Sequence, residues 1–278
     1  MKFDLLWPIG ALALLAAVYW PLERAFPARA GQPWLRRALT TDTAFFFGQY
    51  LLWSGLALLL LRWLDGHLGA WVPLALRSSF ASLPFVARAL VVVLLGDLSV
   101  YGFHRACHRF EWMWRIHAIH HSSEHLDWLA AHREHPLDGI GTQLSINLPA
   151  MILGFSVNEL AWLATLRGMW AILIHSNVRL PLGPLKWLLG APEFHHWHHR
   201  KHGAVQNFGN VAPWCDWLFG THFQPEPGDE TWEVGLVEPL PKSYLGLLLW
   251  PFRSRGSGSM SSASTSASAP SEAIAVAR

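Results

Sequence analysis

Charge is scarce in this chain. Asp, Glu, Lys and Arg make up 14% of its 278 residues, against roughly 25% in an ordinary soluble domain. The formal net charge of +2 gives no ground for a nucleic-acid partner. Cysteine is nearly absent. Cys107 and Cys215 form no CxxC pair and no disulfide framework, and Cys107 reads as a small core residue sooner than as a metal ligand. The sequence carries no haem-attachment, flavin or dinucleotide-binding motif and no repeat of fixed period. What it has in quantity is apolar surface and histidine.

Hydrophobic residues make up 52% of the chain and Trp occurs seventeen times; Trp favours membrane interfaces. Together these describe an integral membrane protein. Leu5 to Tyr19 is apolar and ends in Tyr19-Trp20-Pro21, which suits an interfacial anchor and not a cleavage site, so an uncleaved span is expected. Thr43 to Leu64 is a second span and Phe85 to Phe103 a third. Pro21 to Asp42 carries Arg24, Arg29, Arg36 and Arg37, whereas Asp65 to Leu83 has one basic residue, Arg77. Positive-inside logic then makes the first loop cytoplasmic and brings the third span out on the cytoplasmic side at His104. Ile140 to Ile174 is apolar but interrupted near Pro149, Gly154 and Asn158, which fits a re-entrant or interfacial helical hairpin with both ends on one side. Leu180 to Ala191 is a surface connection. The expected fold is an all-α membrane bundle of about three spanning helices and that hairpin, under a cytoplasmic histidine-rich helical cap. Residues 1–253 form the domain; 254–278, almost wholly small and polar, cannot bury enough surface to order themselves.

Sixteen histidines are present, and all but His67 and His222 fall between His104 and His202. His104 and His108 stand at i, i+4. His117, His120 and His121 stand at i, i+3, i+4, and His195, His198 and His199 repeat that triple. Residues so spaced share one helix face. Crowded imidazoles repel when protonated and need partners when neutral; a bound metal resolves both. The clusters therefore predict one polynuclear metal site, with more ligands than a single zinc uses. His125, His132, His196 and His202 stand outside the box pattern and read as surface or supporting histidines. Asp97, two turns before His104, serves either a neighbouring helix or the N–H of a metal-bound imidazole.

The order HRxxH, HxxHH, HPLD, HSN, HxxHH, then NFG and WLFGT, resembles the fatty acid hydroxylase/sterol desaturase superfamily. The likeness covers about Asp97 to Thr221, and more weakly Pro21-Leu22-Glu23-Arg24. It implies an O2-dependent, non-haem di-iron oxidoreductase acting on a lipid such as a sterol or fatty acyl chain. Hydroxylation is favoured by analogy, with desaturation as the alternative. Ten ligands carry over: His104, His108, His117, His120, His121, His135, His175, His195, His198 and His199. Asp97 and Asp216 match acidic positions that accompany the boxes and so would support the ligands; no further catalytic side chain is implied. With two Fe ions as the only redox groups, a separate electron-donor protein is expected. Two rivals stand beside this reading. A His-rich metal transporter would place its ligands at mid-span, and a bis-histidine haem protein needs paired histidines on facing helices.

Overall fold

The computed structural model describes residues 5–68, 71–224 and 233–253. Lys2, Asp4 and the segment 254–278, where a disordered tail is expected, lie outside the described residues. Among the described residues the chain is helical, with two isolated β-bridges, Pro27 to Val178 and Arg200 to Val234, and no strand.

Three helices are long and apolar enough to cross a membrane: Leu6–Ala25, Leu39–Leu68 and Phe85–Arg109. The first is α1, which runs on through Pro21 to Ala25, because proline costs a helix one backbone bond there and one turn remains to close it. The second is α2 (Leu39–Gly48), a π-helical stretch (Gln49–Trp53) and α3 (Ser54–Leu68). The third is α5, Phe85–Arg109, which carries the first histidine pair in its last two turns. Large apolar side chains face outward from all three, as in Leu6, Leu59 and Val86. Leaving such surface uncovered in water is costly; in a bilayer it is the expected finish. The loop expected between the second and third spans contains a short helix, α4 (Leu74–Ala81). Its eight residues are too few for periodicity to reveal.

The expected hairpin is α7 (Pro136–Ile152) and α8 (Val157–His175). Gly154 turns the chain at φ +101°, in the left-handed region that favours glycine. Ser156 and Glu159 then form a reciprocal capping box at the start of α8. The hairpin reaches the far end of the bundle: Phe155 meets Phe80 of α4 at 5.7 Å between ring centroids, and the Arg88 guanidinium lies 4.4 Å over the Phe155 ring. Ala150, Met151, Phe155, Leu160 and Leu163 build a core there with Leu61, Phe80 and Val92.

At the opposite end, α6 (Glu111–His121), a 3-10 turn (Ala130–His132), α9 (Pro192–His198), α10 (Trp214–Leu218) and α11 (Tyr244–Leu249) cap the bundle. The arginine-rich connection after α1 is at this end. Arg36 pairs with Asp42 and, at 2.5 Å, with Asp127; Arg133 pairs with Asp42 at 2.6 Å. Burial alone would lower the Arg36 pKa, but its bonds to Asp127 and Asp42 outweigh that and raise it. Glu23, near the end of α1, accepts the backbone N–H groups of Trp128 and Asn177. The first two spans thus grip the cap directly.

Candidate metal centre

Nine of the ten expected ligands converge. His104, His108, His117, His121 and His198 bring one ligand atom each to within 4.8 Å of one another; His120, His175, His195 and His199 do the same beside them. Helix geometry explains the division. In α6 the i, i+4 pair His117 and His121 faces the first group, while His120 faces the second. At the end of α9 the assignment is reversed: the i, i+4 pair His195 and His199 serves the second group and His198 the first. The groups abut, with the His121 and His199 rings stacked at 4.3 Å.

The hydrogen bonds fix which nitrogen is left over. His104 Nδ1 donates to the Phe208 carbonyl at 3.0 Å, His198 Nδ1 to the Gln206 carbonyl at 2.8 Å, and His117 Nδ1 to the Asp138 carboxylate at 2.7 Å. These oxygens accept, so in a neutral ring the hydrogen is on Nδ1 and Nε2 is a bare lone pair. The Nε2 atoms of His104, His108, His117, His121 and His198 are all buried without a partner. In the second group, His120 Nδ1 donates to the Arg133 carbonyl at 3.2 Å and His175 Nδ1 to the Ala171 carbonyl at 2.6 Å. Their Nε2 atoms nonetheless face each other at 2.9 Å, and His195 Nε2 lies 2.8 Å from that of His175. Two lone pairs so close repel unless a cation lies between them. Protons are a poor answer. Burial first, and neighbouring rings second, hold His120, His121, His195, His198 and His199 well below the ordinary imidazole range. The donor set fits two metal ions.

The supporting partners are mostly main chain. Asn207 adopts φ +59°, and its side chain ties Phe194, the Phe223 carbonyl and the Phe223 N–H together. This turn presents the Gln206 and Phe208 carbonyls to His198 and His104. Asp216 accepts the N–H groups of Phe208 and Gly209, each at 2.8 Å, so it supports His104 one peptide removed. Asp97 reaches no imidazole. It accepts from the Val211 N–H at 3.1 Å and the Trp214 Nε1–H at 2.8 Å, which is the neighbouring-element alternative.

His135 departs from the expectation. Its Nδ1 accepts the Leu137 N–H and caps α7, and its Nε2 lies 3.3 Å from the Leu248 carbonyl, so neither nitrogen turns toward the two groups. The residue that sequence reasoning missed is Asp138, and the HPLD motif held the signal. It is buried, receives His117, and lies 3.9 Å from the Cys107 sulfur. Asp138→Asn is expected to weaken metal retention by about 10–100-fold, which competition with a chelator measures. Among the remaining histidines, His196 Nε2 donates to the Ser176 carbonyl, His132 Nδ1 meets Gln49, and His202 is exposed.

His132 sets an acid limit on stability. Burial first, then His175, brings its pKa down to about 4 from 6.5. The unfolded chain binds this proton more readily, so the full contribution is present above pH 6.5 and is lost as pH falls toward 4. The loss is about 3 kcal/mol by linkage. Chemical denaturation between pH 7 and pH 4 checks it, and His132→Gln should flatten the slope.

The fatty acid hydroxylase family model matches residues 89–221. The chain is 29% identical over 176 residues to ornithine lipid hydroxylase OlsE of Rhizobium tropici, covering 62% of this chain and 53% of that protein. It is 33% identical to methylsterol monooxygenase 1-1 of Arabidopsis thaliana over 49% of this chain and 47% of that one. It is 31% identical to human alkylglycerol monooxygenase over 52% of this chain and 32% of that one. The chain therefore spans about half the length of the first two relatives and about a third of the last. No solved structure matches it. The matched segment contains every one of the nine converging histidines, and over it the chain is similar to the fatty acid hydroxylase family.

Proposed function

We propose that this protein is a membrane-bound, O2-dependent di-iron oxygenase that hydroxylates a C–H bond of a lipid. The observation that carries the reading is the set of buried Nε2 lone pairs, five in one group and facing pairs in the other. His104, His108, His117, His121 and His198 would hold one ion; His120, His175, His195 and His199 would hold the other. Imidazole alone does not choose among first-row metals; the task does, because iron supplies a redox couple that zinc lacks. The relatives, hydroxylases and monooxygenases of ornithine lipids, methylsterols and alkylglycerols by name, favour hydroxylation over desaturation and a lipid as substrate.

The chain's own part is to hold and to exclude. Asp138 and the carbonyls of Phe208, Gln206, Arg133 and Ala171 lock the tautomers of His117, His104, His198, His120 and His175 and leave the lone pairs of those five rings aimed inward. Phe208 packs on His104, His108 and His198, and Trp114 on His108 and His121, which keeps bulk water off the centre. A cavity of about 10 Å³ beside His195, bounded by Ile174, Ala191, Phe194 and Gly209, has room for about one water molecule. Hydroxylation consumes one O2, two electrons and two protons and yields the alcohol and water. The electrons would come from a separate donor protein. The arginine-rich connection shares an end with the centre, which supports a cytoplasmic location.

The test is metal analysis and Mössbauer spectroscopy of the purified protein, then turnover of lipid with and without a reductant. Two irons per chain and reductant-dependent release of hydroxylated lipid are expected. Zinc in place of iron with no oxidised lipid, or an ion gradient dissipated in liposomes, would end the oxygenase reading.

A further inference from the structure

Besides the three spans, the described residues carry a second large apolar surface. Two short segments build it: the 3-10 turn Gly183–Trp187 with Leu188 after it, and α10 with Phe219 after it. Leu188 is 69% exposed and Leu218 64%; Leu185, Trp217 and Phe219 are exposed as well. The Trp187 and Trp217 rings lie 6.0 Å apart, so the two segments present one continuous face. Exposed apolar surface of this extent marks a place where something other than water is met.

What it meets follows from where the segment is anchored. Asp97 lies at the middle of α5 and receives both the Val211 N–H and the Trp214 indole N–H. Phe219 stacks on Tyr101 at 5.1 Å. Asp97 precedes His104 by seven residues, roughly 10 Å along a helix. The segment around α10 therefore folds back from the metal end and descends about two turns along the third span. Leu94 and Leu98 are exposed on that same stretch of α5, so the face continues the lipid-facing wall of a spanning helix.

From this continuity we infer that Leu185, Leu188, Trp217, Leu218 and Phe219 are immersed in the bilayer, as a wedge in the leaflet nearest the metal centre. The occupant of the surface is the acyl-chain region of membrane lipid. The wedge has a consequence that rests on the proposed function. The cavity beside His195 is bounded by Gly190 and Ala191, which follow the first segment, and by Ala212 and Asp216 at the second. A lipid lying against the wedge would then meet the side of the protein that carries this cavity, without leaving the membrane.

The experiment uses the full chain in phosphatidylcholine/phosphatidylglycerol liposomes. Nitroxide labels are placed at Leu218→Cys and Leu188→Cys, at Leu90→Cys on the lipid face of α5, and at His202→Cys as the exposed aqueous reference. Cys107 and Cys215 are buried, and the unsubstituted protein measures any label they take up. Power saturation compares collisions with O2, which concentrates in the bilayer, against a nickel chelate, which stays in water. Labels at Leu218 and Leu188 are expected to follow Leu90, with O2 favoured several-fold over the chelate. The inference is overturned if either label follows His202. The readout needs no metal and no substrate, so it stands or falls separately from the di-iron reading.

Discussion

His199→Ala is expected to leave the protein with at most one metal ion per chain and no measurable lipid oxidation. His199 is buried and belongs to the smaller group, which holds four imidazoles. Taking one away leaves three, and the vacated space admits water to the centre. The loss should exceed the 10–100-fold typical of removing only an outer partner of a metal ligand. His196→Ala is the matched control. It is three residues away and equally buried, yet its Nε2 is occupied by the Ser176 carbonyl, and this variant should retain both ions. Metal content of the two purified variants decides the matter. Equal metal in both would show that ring direction had misassigned the ligand.

Asp42→Ala is expected to cost about 3–5 kcal/mol, as when one partner of a buried ion pair is removed. Asp42 is fully buried between the guanidinium groups of Arg36 and Arg133, and alanine would leave both short of a carboxylate in a site closed to water. That is a large part of the 5–15 kcal/mol that holds an ordinary domain folded. The damage should also reach the centre, because the Arg133 carbonyl receives His120 Nδ1. Denaturant titration in detergent measures the first effect and metal content the second. Asp42→Asn, which keeps the shape and loses the charge, should fall between. An unchanged midpoint for Asp42→Ala would mean that Asp127 alone satisfies Arg36.

The histidine spacing made most of the centre legible. An i, i+4 pair on a helix must point one way, and that geometry is local, so His117 with His121 and His195 with His199 could be read together. It could not be read that each i+3 ring crosses to the other group, since that depends on how α6 and α9 are set against each other. His135 was misleading for a related reason. Its partners are the Leu137 N–H, which any side-chain acceptor just before a helix can meet, and the Leu248 carbonyl, far along the chain. Carbonyl acceptors carry no residue type, so the roles of Gln206, Phe208 and Arg133 left no trace in composition. The Asp42, Arg36, Asp127 and Arg133 network was hidden because its members are distant in sequence and each alone looks like an ordinary loop charge. The three spans were plain from hydropathy, and so was the hairpin. Its depth was not, because it rests on Phe155 meeting Phe80 and Arg88 at the far end.

On the proposed two-ion reading, the crossed assignment of α6 and α9 would tie the two ions to each other. Each helix sends two rings to one group and one ring to the other, so an ion seated in either group fixes the spacing and rotation of both helices. The second ion then meets three of its four or five donors already in place. Loading should consequently be cooperative: a half-supplied preparation would be a mixture of full and empty chains, and unsubstituted chains holding a single ion would be rare.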